Sequence, residues 1–368
     1  CKLIKYDPNY AGDDDDEDEE MDDGEDDEDD AGDEYSDDED TSYKIRRSAT
    51  KVLAAIISTR PELLATLLKN VSPVLISRFG DREETVKLEI WTTYVTLLTQ
   101  VRVYGGAPAV KETEGVVGEK RKRSDDEEME LEDTPYGLLK GQVPALAKTL
   151  LKQLRAPKTA ATTLQNGFNV LQSLCTVLPG SLSAHAPQVI ETSRLVLSLA
   201  SNATTSALHT TVLSFLALFF STHSPASFSA PFSSLAPTLL TSLGDKHPRI
   251  ASESFRVFSS LLNALKPVKG QDWPDKVYTE TVRRLGSNET DAEVREHAED
   301  VVGDLWACAT DSVRGKGGRE WEVLLRTSGR SEGAVKVVER VAREVEMEDA
   351  WVSASIEWVL GVLRRSGR

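Results

Sequence analysis

Apolar residues recur along most of this chain at the spacing of amphipathic α-helices. In the segment that begins at Ile250, the residues Phe258, Leu261, Leu262 and Leu265 share one helical face, and charged residues occupy the opposite face. An earlier segment has the same pattern, with Ile45, Ala49, Val52, Leu53, Ile56 and Ile57 on one face. No run alternates with period two for long enough to predict a strand. The pattern therefore indicates a helical protein.

The helical segments form a repeat, in which an apolar helix is followed by a short turn and a second apolar helix. The second helices are anchored at Ile45, Val86, Ala161, Leu208, Ile250 and Val294. Successive anchors lie 41, 75, 47, 42 and 44 residues apart. Apart from the long gap, which contains an insertion, these spacings lie in the roughly 40–47-residue range of HEAT and armadillo repeats. The sequence therefore predicts an all-α fold, a HEAT/armadillo-like α-solenoid of paired antiparallel helices.

Two charged segments interrupt the repeat. Between Asp13 and Asp40, 22 of the 28 residues are Asp or Glu. Such a segment cannot bury enough apolar surface to offset its ordering entropy, so we expect a disordered acidic insertion. The whole chain has a net charge of −18, but the residues outside this tract include 43 basic and 39 acidic ones. We therefore expect the helical part to be nearly neutral.

The second insertion carries a run of four basic residues, 120–123, followed directly by acidic residues. This pattern fits either a nuclear localisation signal or a solvated loop whose charges partly neutralise each other. Composition and periodicity together divide the chain into seven parts. These are the end of a preceding repeat helix (1–10), a disordered acidic tract (11–41), HEAT repeats (42–103), a charged loop insertion (104–134), further HEAT repeats (135–310), a connector with a partial helix (311–330) and a divergent, incomplete terminal repeat (331–368).

Basic side chains near the starts of the second helices are the candidate partner contacts. They are Arg46, Arg47, Lys87, Arg249, Arg256 and Arg295. For each of them, an ordinary solvated position or an ion pair within the repeat is an equally good interpretation. Ser36 precedes four acidic residues and is a candidate target of an acid-directed kinase, although a phosphate would add about −2 to a tract that is already strongly negative.

The residue patterns of catalytic and metal sites are not found in the sequence. The five histidines stand singly without a second ligand at metal-binding spacing, so we expect structural roles, with His223 and His247 solvated near turns. The three cysteines are far apart, and no Gly-x-Ser-x-Gly elbow occurs. The longest apolar stretch, Ala207 to Phe220, is too short and too polar to span a bilayer. We therefore predict no enzyme activity, no cofactor, no metal and no membrane partner.

Several strings, in order along the chain, resemble one known family. They are YDPNY (6–10), DEDTSYKIRRSA (38–49), VSPVLISRFGDREETVK (71–87), QVPALAKTLLKQL (142–154), VLPGSL (177–182), STHSPASF (221–228), SLGDKHPRIASES (242–254) and EVREHAEDVVGDL (293–305). The chain is similar to the central segment of the cullin-associated and neddylation-dissociated proteins, a HEAT-repeat family of the TATA-binding-protein-interacting type. The insertion at 104–133 is longer than this family usually carries.

This resemblance implies a scaffold that wraps an unneddylated cullin bound to its RING partner, excludes cullin neddylation and assists the exchange of substrate receptors. The widely spaced cysteines fit a reducing environment, so we expect a cytoplasmic and nuclear location, and we also expect a chain that is monomeric in itself. A different class of function, a nuclear transport receptor or a carrier of histones or other basic cargo, is the alternative, because a polyanionic loop attracts basic proteins. The nearly neutral helical part argues against nucleic acid as a partner.

Overall fold

The computed structural model describes residues 2–6, 42–106, 134–287, 290–314, 332–346 and 349–366. Within these ranges the regular elements are helices, and no strand occurs. The acidic tract, including Ser36, lies outside the described residues, as do the basic run 120–123 and most of the connector at 311–330. The chain divides into two compact units, Cys1–Leu138 and Leu139–Arg368.

The first unit consists of two long helices with two short ones between them. They are α1 (Ser42–Thr59), α2 (Leu64–Asn70), α3 (Ser72–Ser77) and α4 (Glu84–Tyr104). The long helices α1 and α4 pack side by side. Phe79 lies against the rings of Trp91 and Tyr94, with centroid distances of 6.1 and 5.3 Å. The Tyr94 hydroxyl is 3.1 Å from Ser72 Oγ, and burial raises the pKa of Tyr94 to about 12.

The apolar stripe of α1 is buried only in part. Ile57 is buried, but Ile45 and Val52 are 40% and 59% exposed, and Arg46 and Thr50, which are not part of the stripe, are buried. The face of α1 that is buried in the first unit, where α1 packs beside α4, therefore combines apolar and polar residues. Residues 2–6 form turns.

The second unit contains most of the repeats. Its helices are α5 (Pro135–Leu154, which begins just before the unit boundary), α6 (Ala161–Val177), α7 (Ala186–Leu197), α8 (Ser206–Thr222), α9 (Pro225–Leu243), α10 (Pro248–Leu265), α11 (Trp273–Gly286), α12 (Ala292–Cys308), α13 (Thr310–Arg314), α14 (Glu332–Glu344) and α15 (Asp349–Ser366). Proline stands in the first turn of five of them, α5, α7, α9, α10 and α11, where its missing N–H has no helical partner to lose.

The helices of the second unit stack in two layers. The second helices of successive repeats pack against one another in the order α6, α8, α10, α12 and α14, and we call this layer the second-helix layer. The first helices α7, α9 and α11 form the other layer, which we call the first-helix layer. The helices α6, α8, α10 and α12 begin 45, 42 and 44 residues apart. These starts fall within two residues of the predicted anchors, so the α-solenoid of paired helices is confirmed.

An aromatic cluster forms the core between the two layers. Phe219 and Phe220 of α8 lie 6.2 and 4.9 Å from Phe228 of α9, measured between ring centroids. From there the contacts continue through Phe232 to Trp273 of α11 at 5.8 Å. All five side chains are at least 95% buried. Burying such rings stabilises each repeat only in the presence of its neighbours, which is the basis of solenoid stability.

None of the helices in the described ranges is both long and apolar enough to cross a membrane.

Candidate partner interface

A shallow groove of about 470 Å³ crosses the exposed face of the second-helix layer. Four successive helices line it: α6, α8, α10 and α12. Each contributes small or polar side chains, such as Thr176, Ser214, Ser259 and His297. We call this feature the layer groove.

The helical periodicity explains why polar residues reach this groove. On α8, Ser214 and Leu218 are partly exposed to the groove, whereas Phe215 and Phe219, one position further along, are fully buried. Residues on one side of the helix therefore pack in the core, while residues on another side face the groove. The repeat spacing brings the polar faces of successive helices into one continuous surface.

The charged residues of the layer groove come from α10 and α12. Arg256 Nη1 lies 2.7 Å from Glu253 Oε1, and the Arg256 side chain is 46% exposed. His297 Nδ1 lies 3.7 Å from Asp300 Oδ2, and the Asp300 side chain is 59% exposed. The α6 and α8 half of the groove is uncharged. The groove therefore combines hydrogen-bonding hydroxyls at one end with two accessible charges of opposite sign at the other.

Arg46 was predicted to contact a partner, and this prediction is wrong because its side chain is fully buried. Its Nε lies 3.1 Å from Asp81 Oδ2, and its Nη1 donates to Ser42 Oγ at 2.8 Å and to the Tyr6 carbonyl at 3.2 Å. A charged group is stable in such a site only when it is paired and hydrogen-bonded. Arg46 therefore joins α1 to the turn before α4 and to residues 2–6. We call this arrangement the Arg46 clasp.

The other predicted contacts are distributed over both units. Arg295 donates to the Leu285 and Ser287 carbonyls at 3.1 and 2.8 Å, so it caps the end of α11 within its own repeat. Arg47 is exposed and lies 3.5 Å from Glu89. Lys87 is half-buried and Arg249 is exposed. Among the six, Arg256 alone lines the layer groove.

The sequence did not reveal a polar network beside the layer groove that joins α10, α12 and α14. The buried carboxylate of Asp304 accepts from Ser259 Oγ at 2.5 Å and from Asn263 Nδ2 at 2.8 Å, and it also pairs with Arg340. Arg340 Nη2 in turn donates to Asn263 Oδ1 at 3.1 Å. The one sequence signal for this network is an aspartate in an otherwise apolar stretch of α12.

His223 was expected to be solvated, but it is 95% buried. Its Nε2 accepts a hydrogen bond from the Leu182 N–H at 3.0 Å, and its ring stacks on Phe219 with the centroids 4.2 Å apart. Burial lowers the pKa of His223, with the Phe219 carbonyl acting in the opposite direction. His247 is exposed, as expected. His223 thus connects the loop before α7 to the end of α8.

The described residues contain no cluster of three or more His, Cys, Asp or Glu side chains that could hold a metal ion. Cys175 and Cys308 are free and buried. Burial raises the pKa of Cys175 to about 12 and that of Cys308 to about 11. Because the thiolate is the reactive form, neither thiol is activated as a nucleophile.

Sequence comparison finds relatives that match most of this chain. The family profile described as CAND1-like, TPR repeats, matches residues 180–301. Cullin-associated NEDD8-dissociated protein 2 of Mus musculus is 34% identical over 311 residues, which are 83% of this chain and 24% of the mouse protein. Cullin-associated NEDD8-dissociated protein 1 of Drosophila melanogaster is 32% identical over 322 residues, 85% of this chain and 24% of that protein.

A fungal relative covers a similar share of the chain. The protein of Emericella nidulans described as cullin-associated NEDD8-dissociated protein 1, C-terminal part, is 26% identical over 357 residues, 83% of this chain and 33% of its own length. The chain thus spans about a quarter of the animal relatives and a third of the fungal one.

Solved structures share the fold at low identity. A Kap121p mutant has a TM-score of 0.55 at 13% identity, covering 86% of this chain and 29% of its own. A designed armadillo repeat protein has a TM-score of 0.50 at 10% identity, covering 74% of this chain and 99% of its own. At such identities the likeness shows the fold alone.

The layered helices and these similarities define the class of protein as an α-solenoid of the HEAT/armadillo type. Within that class, the chain belongs to the cullin-associated NEDD8-dissociated protein family and corresponds to a segment of its longer members.

Proposed function

We propose that this chain is a non-catalytic scaffold segment that binds an unneddylated cullin with its RING partner and assists the exchange of substrate receptors. The observation that carries this proposal is the layer groove, a continuous exposed surface built by four successive helices. The names of the relatives support the choice of partner, since they describe association with cullins and dissociation from NEDD8.

The chemistry of the layer groove supports a protein partner over a small substrate. Hydroxyl side chains and two exposed charges of opposite sign are typical of the polar parts of protein interfaces. Arg256 is the central candidate contact, because arginine is common among the residues that dominate binding energy. Its partner Glu253 is 14% exposed and holds the guanidinium in place, so little side-chain entropy is lost on binding.

A binding assay with purified components tests the proposal. The immobilised chain is expected to retain an unneddylated cullin–RING complex and to retain the neddylated complex at least tenfold less well. Arg256→Glu should weaken capture roughly tenfold, because like charges at an interface repel. Arg283→Glu is the matched control, since Arg283 makes the same i,i+3 pair with a glutamate, Glu280, on the opposite layer.

Capture of both cullin forms to the same extent would contradict the proposal. Equal losses for Arg256→Glu and Arg283→Glu would contradict the assignment of the layer groove. Selective recovery of histones or other basic proteins in place of the cullin would favour the alternative of a basic-cargo carrier.

We further propose that the chain acts in both the cytoplasm and the nucleus, on the basis of the basic run at 120–123. A reporter fused to residues 104–134 should then accumulate in the nucleus. A signal that is equal in both compartments would remove the nuclear signal from the proposal.

A further inference from the structure

A second cavity, of about 370 Å³, lies in the second unit between the carboxyl ends of α7 and α9. Its lining includes Ser198 just after α7, Thr241 and Ser242 of α9, and Asp245 in the turn that follows. His209, at the start of α8, also lines the cavity. This site is separate from the layer groove, and no step of the proposed function uses it. We call it the His209 cavity.

Three hydroxyl groups that line the His209 cavity act as hydrogen-bond acceptors. The hydroxyl hydrogens of Ser198, Thr241 and Ser242 are already donated to the backbone carbonyls of Arg194, Pro237 and Thr238, at 2.7, 3.1 and 3.1 Å. Each hydroxyl oxygen therefore offers lone pairs to an occupant but no further proton. Because the cavity presents oxygen acceptors, an occupant rich in N–H donors fits it best.

His209 lines the cavity and carries a buried polar atom without a partner. The residue is 97% buried, and its Nε2 has no hydrogen-bond partner among the described residues. Burial lowers the pKa of His209, while the Val196 carbonyl and the Asp245 carboxylate act in the opposite direction. The ring is therefore neutral at pH 7, and a positively charged occupant does not meet a second cation there. A buried polar atom without a partner is costly unless an occupant satisfies it.

The electrostatics of the cavity favour a cation. Two helices end there, α7 at Leu197 and α9 at Leu243, and helix carboxyl ends carry partial negative charge. The Asp245 carboxylate accepts from the His247 N–H at 2.7 Å and makes no ion pair with a described residue. Its charge is therefore available to an occupant.

One basic side chain reaches the same end of α9 from the neighbouring helix. Arg284 of α11 donates to the Leu243 and Asp245 carbonyls at 3.2 and 2.8 Å. Its own charge is matched by Glu280 at 2.9 Å. Arg284 therefore leaves the carboxylate of Asp245 uncompensated, and the local charge stays negative.

From these observations we infer that the His209 cavity is a docking site for an arginine side chain of a partner polypeptide. A guanidinium supplies five N–H donors to the hydroxyl oxygens, the imidazole and the carboxylate. Leu197, Leu199 and Pro237 also line the cavity and suit the aliphatic stem of the side chain. The site lies on the first-helix layer, so a partner held there is distinct from one held in the layer groove.

The inference is tested with the whole chain and the probe N-acetyl-arginine amide. Imidazole nitrogen resonances are recorded by NMR during titration, with His209 assigned from a His209→Gln variant. We expect a saturable shift of the His209 resonances, and no such shift with N-acetyl-citrulline amide, a neutral compound of nearly the same shape. Asp245→Asn should weaken binding of the arginine probe roughly tenfold, since it removes a charge-assisted contact.

Asp245→Asn keeps the oxygen that accepts from the His247 N–H, and its far-ultraviolet circular dichroism should match the parent chain. Asp300→Asn in the layer groove is the control and should bind the probe as the parent does. If His209 does not respond to arginine, or responds equally to citrulline, water alone fills the cavity and the inference is wrong. Equal affinity of Asp245→Asn and the parent chain would also overturn it.

Discussion

At the scale of single residues, the molecule places ionisable side chains inside the repeats and uses them as connections. Arg46 lies near the start of α1 and His223 directly follows the end of α8. Each of them satisfies a backbone group that is distant in sequence, the Tyr6 carbonyl and the Leu182 N–H. Such groups stabilise the fold only in one protonation state and with all partners in place. Their removal therefore has consequences that differ from those of exposed charges.

Arg46→Ala should reduce the free energy of unfolding by about 3 kcal/mol or more, because it leaves Asp81 buried without its partner. The measurement is chemical denaturation of the parent and variant chains. Arg47→Ala, on the exposed neighbouring residue, should change stability by less than about 1 kcal/mol. A double variant, Arg46→Ala with Asp81→Ala, should lose less free energy of unfolding than the two single variants lose in sum. Equal effects at Arg46 and Arg47 would contradict the buried clasp.

His223 should make the stability of the second unit depend on pH. Because burial lowers its pKa, the native protein resists protonation that the unfolded chain accepts at the ordinary pKa of about 6.5. Stability is then unaffected above that value and falls as the pH decreases below it, by at most about 1.4 kcal/mol per pH unit. His223→Gln, whose side-chain oxygen can still accept from Leu182, should flatten the profile.

Thermal unfolding between pH 7.5 and 5.5 checks this prediction. His209 is shifted in the same direction and remains in both chains, so the difference between parent and variant isolates His223. Identical profiles for the parent and His223→Gln would show that folding does not lower the pKa of His223, and would contradict the prediction.

At the scale of elements, the second-helix layer depends on side chains that bridge three successive helices. Asp304 on α12 receives hydrogen bonds from α10 and pairs with Arg340 on α14. Val337 of α14 also packs on Gly303, where an added Cβ would lie 3.7 Å from the valine side chain. A second ion pair, between Lys266 Nζ and Glu344 Oε2 at 3.0 Å, joins α14 to the residue after α10. The position of α14 therefore depends on two ion pairs and on apolar packing.

Arg340→Ala should destabilise the end of the second unit by about 2 kcal/mol, since a hydrogen-bonded charged group loses its partner. Hydrogen exchange should accelerate in α14 more than in α8. Arg343→Ala is the control on the same helix, because its pair with Glu339 is exposed and contributes little. If α14 exchanges equally fast in both variants, the Asp304–Arg340 pair does not hold the helix.

At the scale of the whole molecule, the negative net charge comes entirely from one segment. The chain carries −18, and residues 13–40 contain 22 acidic side chains. The repeats themselves are nearly neutral, so long-range attraction of basic proteins depends on that segment and short-range recognition on the helices.

Replacing residues 13–40 by a short Gly-Ser linker should therefore leave capture of the unneddylated cullin within about twofold of the parent value. Histone retention at low salt should fall steeply in the same variant, because it depends on unscreened charge. The measurement is parallel capture of both proteins at two salt concentrations. Loss of cullin capture in the variant would indicate that the acidic segment, and not the helices, recognises the cullin.

The sequence predicted the repeats well because their spacing is a property of the chain itself. It predicted the starts of α6, α8, α10 and α12 to within two residues. It failed where burial depends on contacts across the fold. The helical pattern of α1 marks Ile45 and Val52 as apolar but does not reveal which face α4 covers.

The same limit applies to the candidate site. Six basic residues fit the predicted pattern equally well, and only tertiary contacts separate the buried Arg46 from the accessible Arg256. The burial of His223 depends on Leu182, which is 41 residues away. No local signal in the sequence marks such a pair.

The Arg46 clasp has a practical consequence for protein engineering. One guanidinium nitrogen touches both the Tyr6 carbonyl and the Ser42 hydroxyl, so the two borders of residues 7–41 are neighbours in space. Foreign domains are best tolerated where their attachment points are close together. A fluorescent protein or an affinity handle spliced between Tyr6 and Ser42 should therefore leave the helices undisturbed.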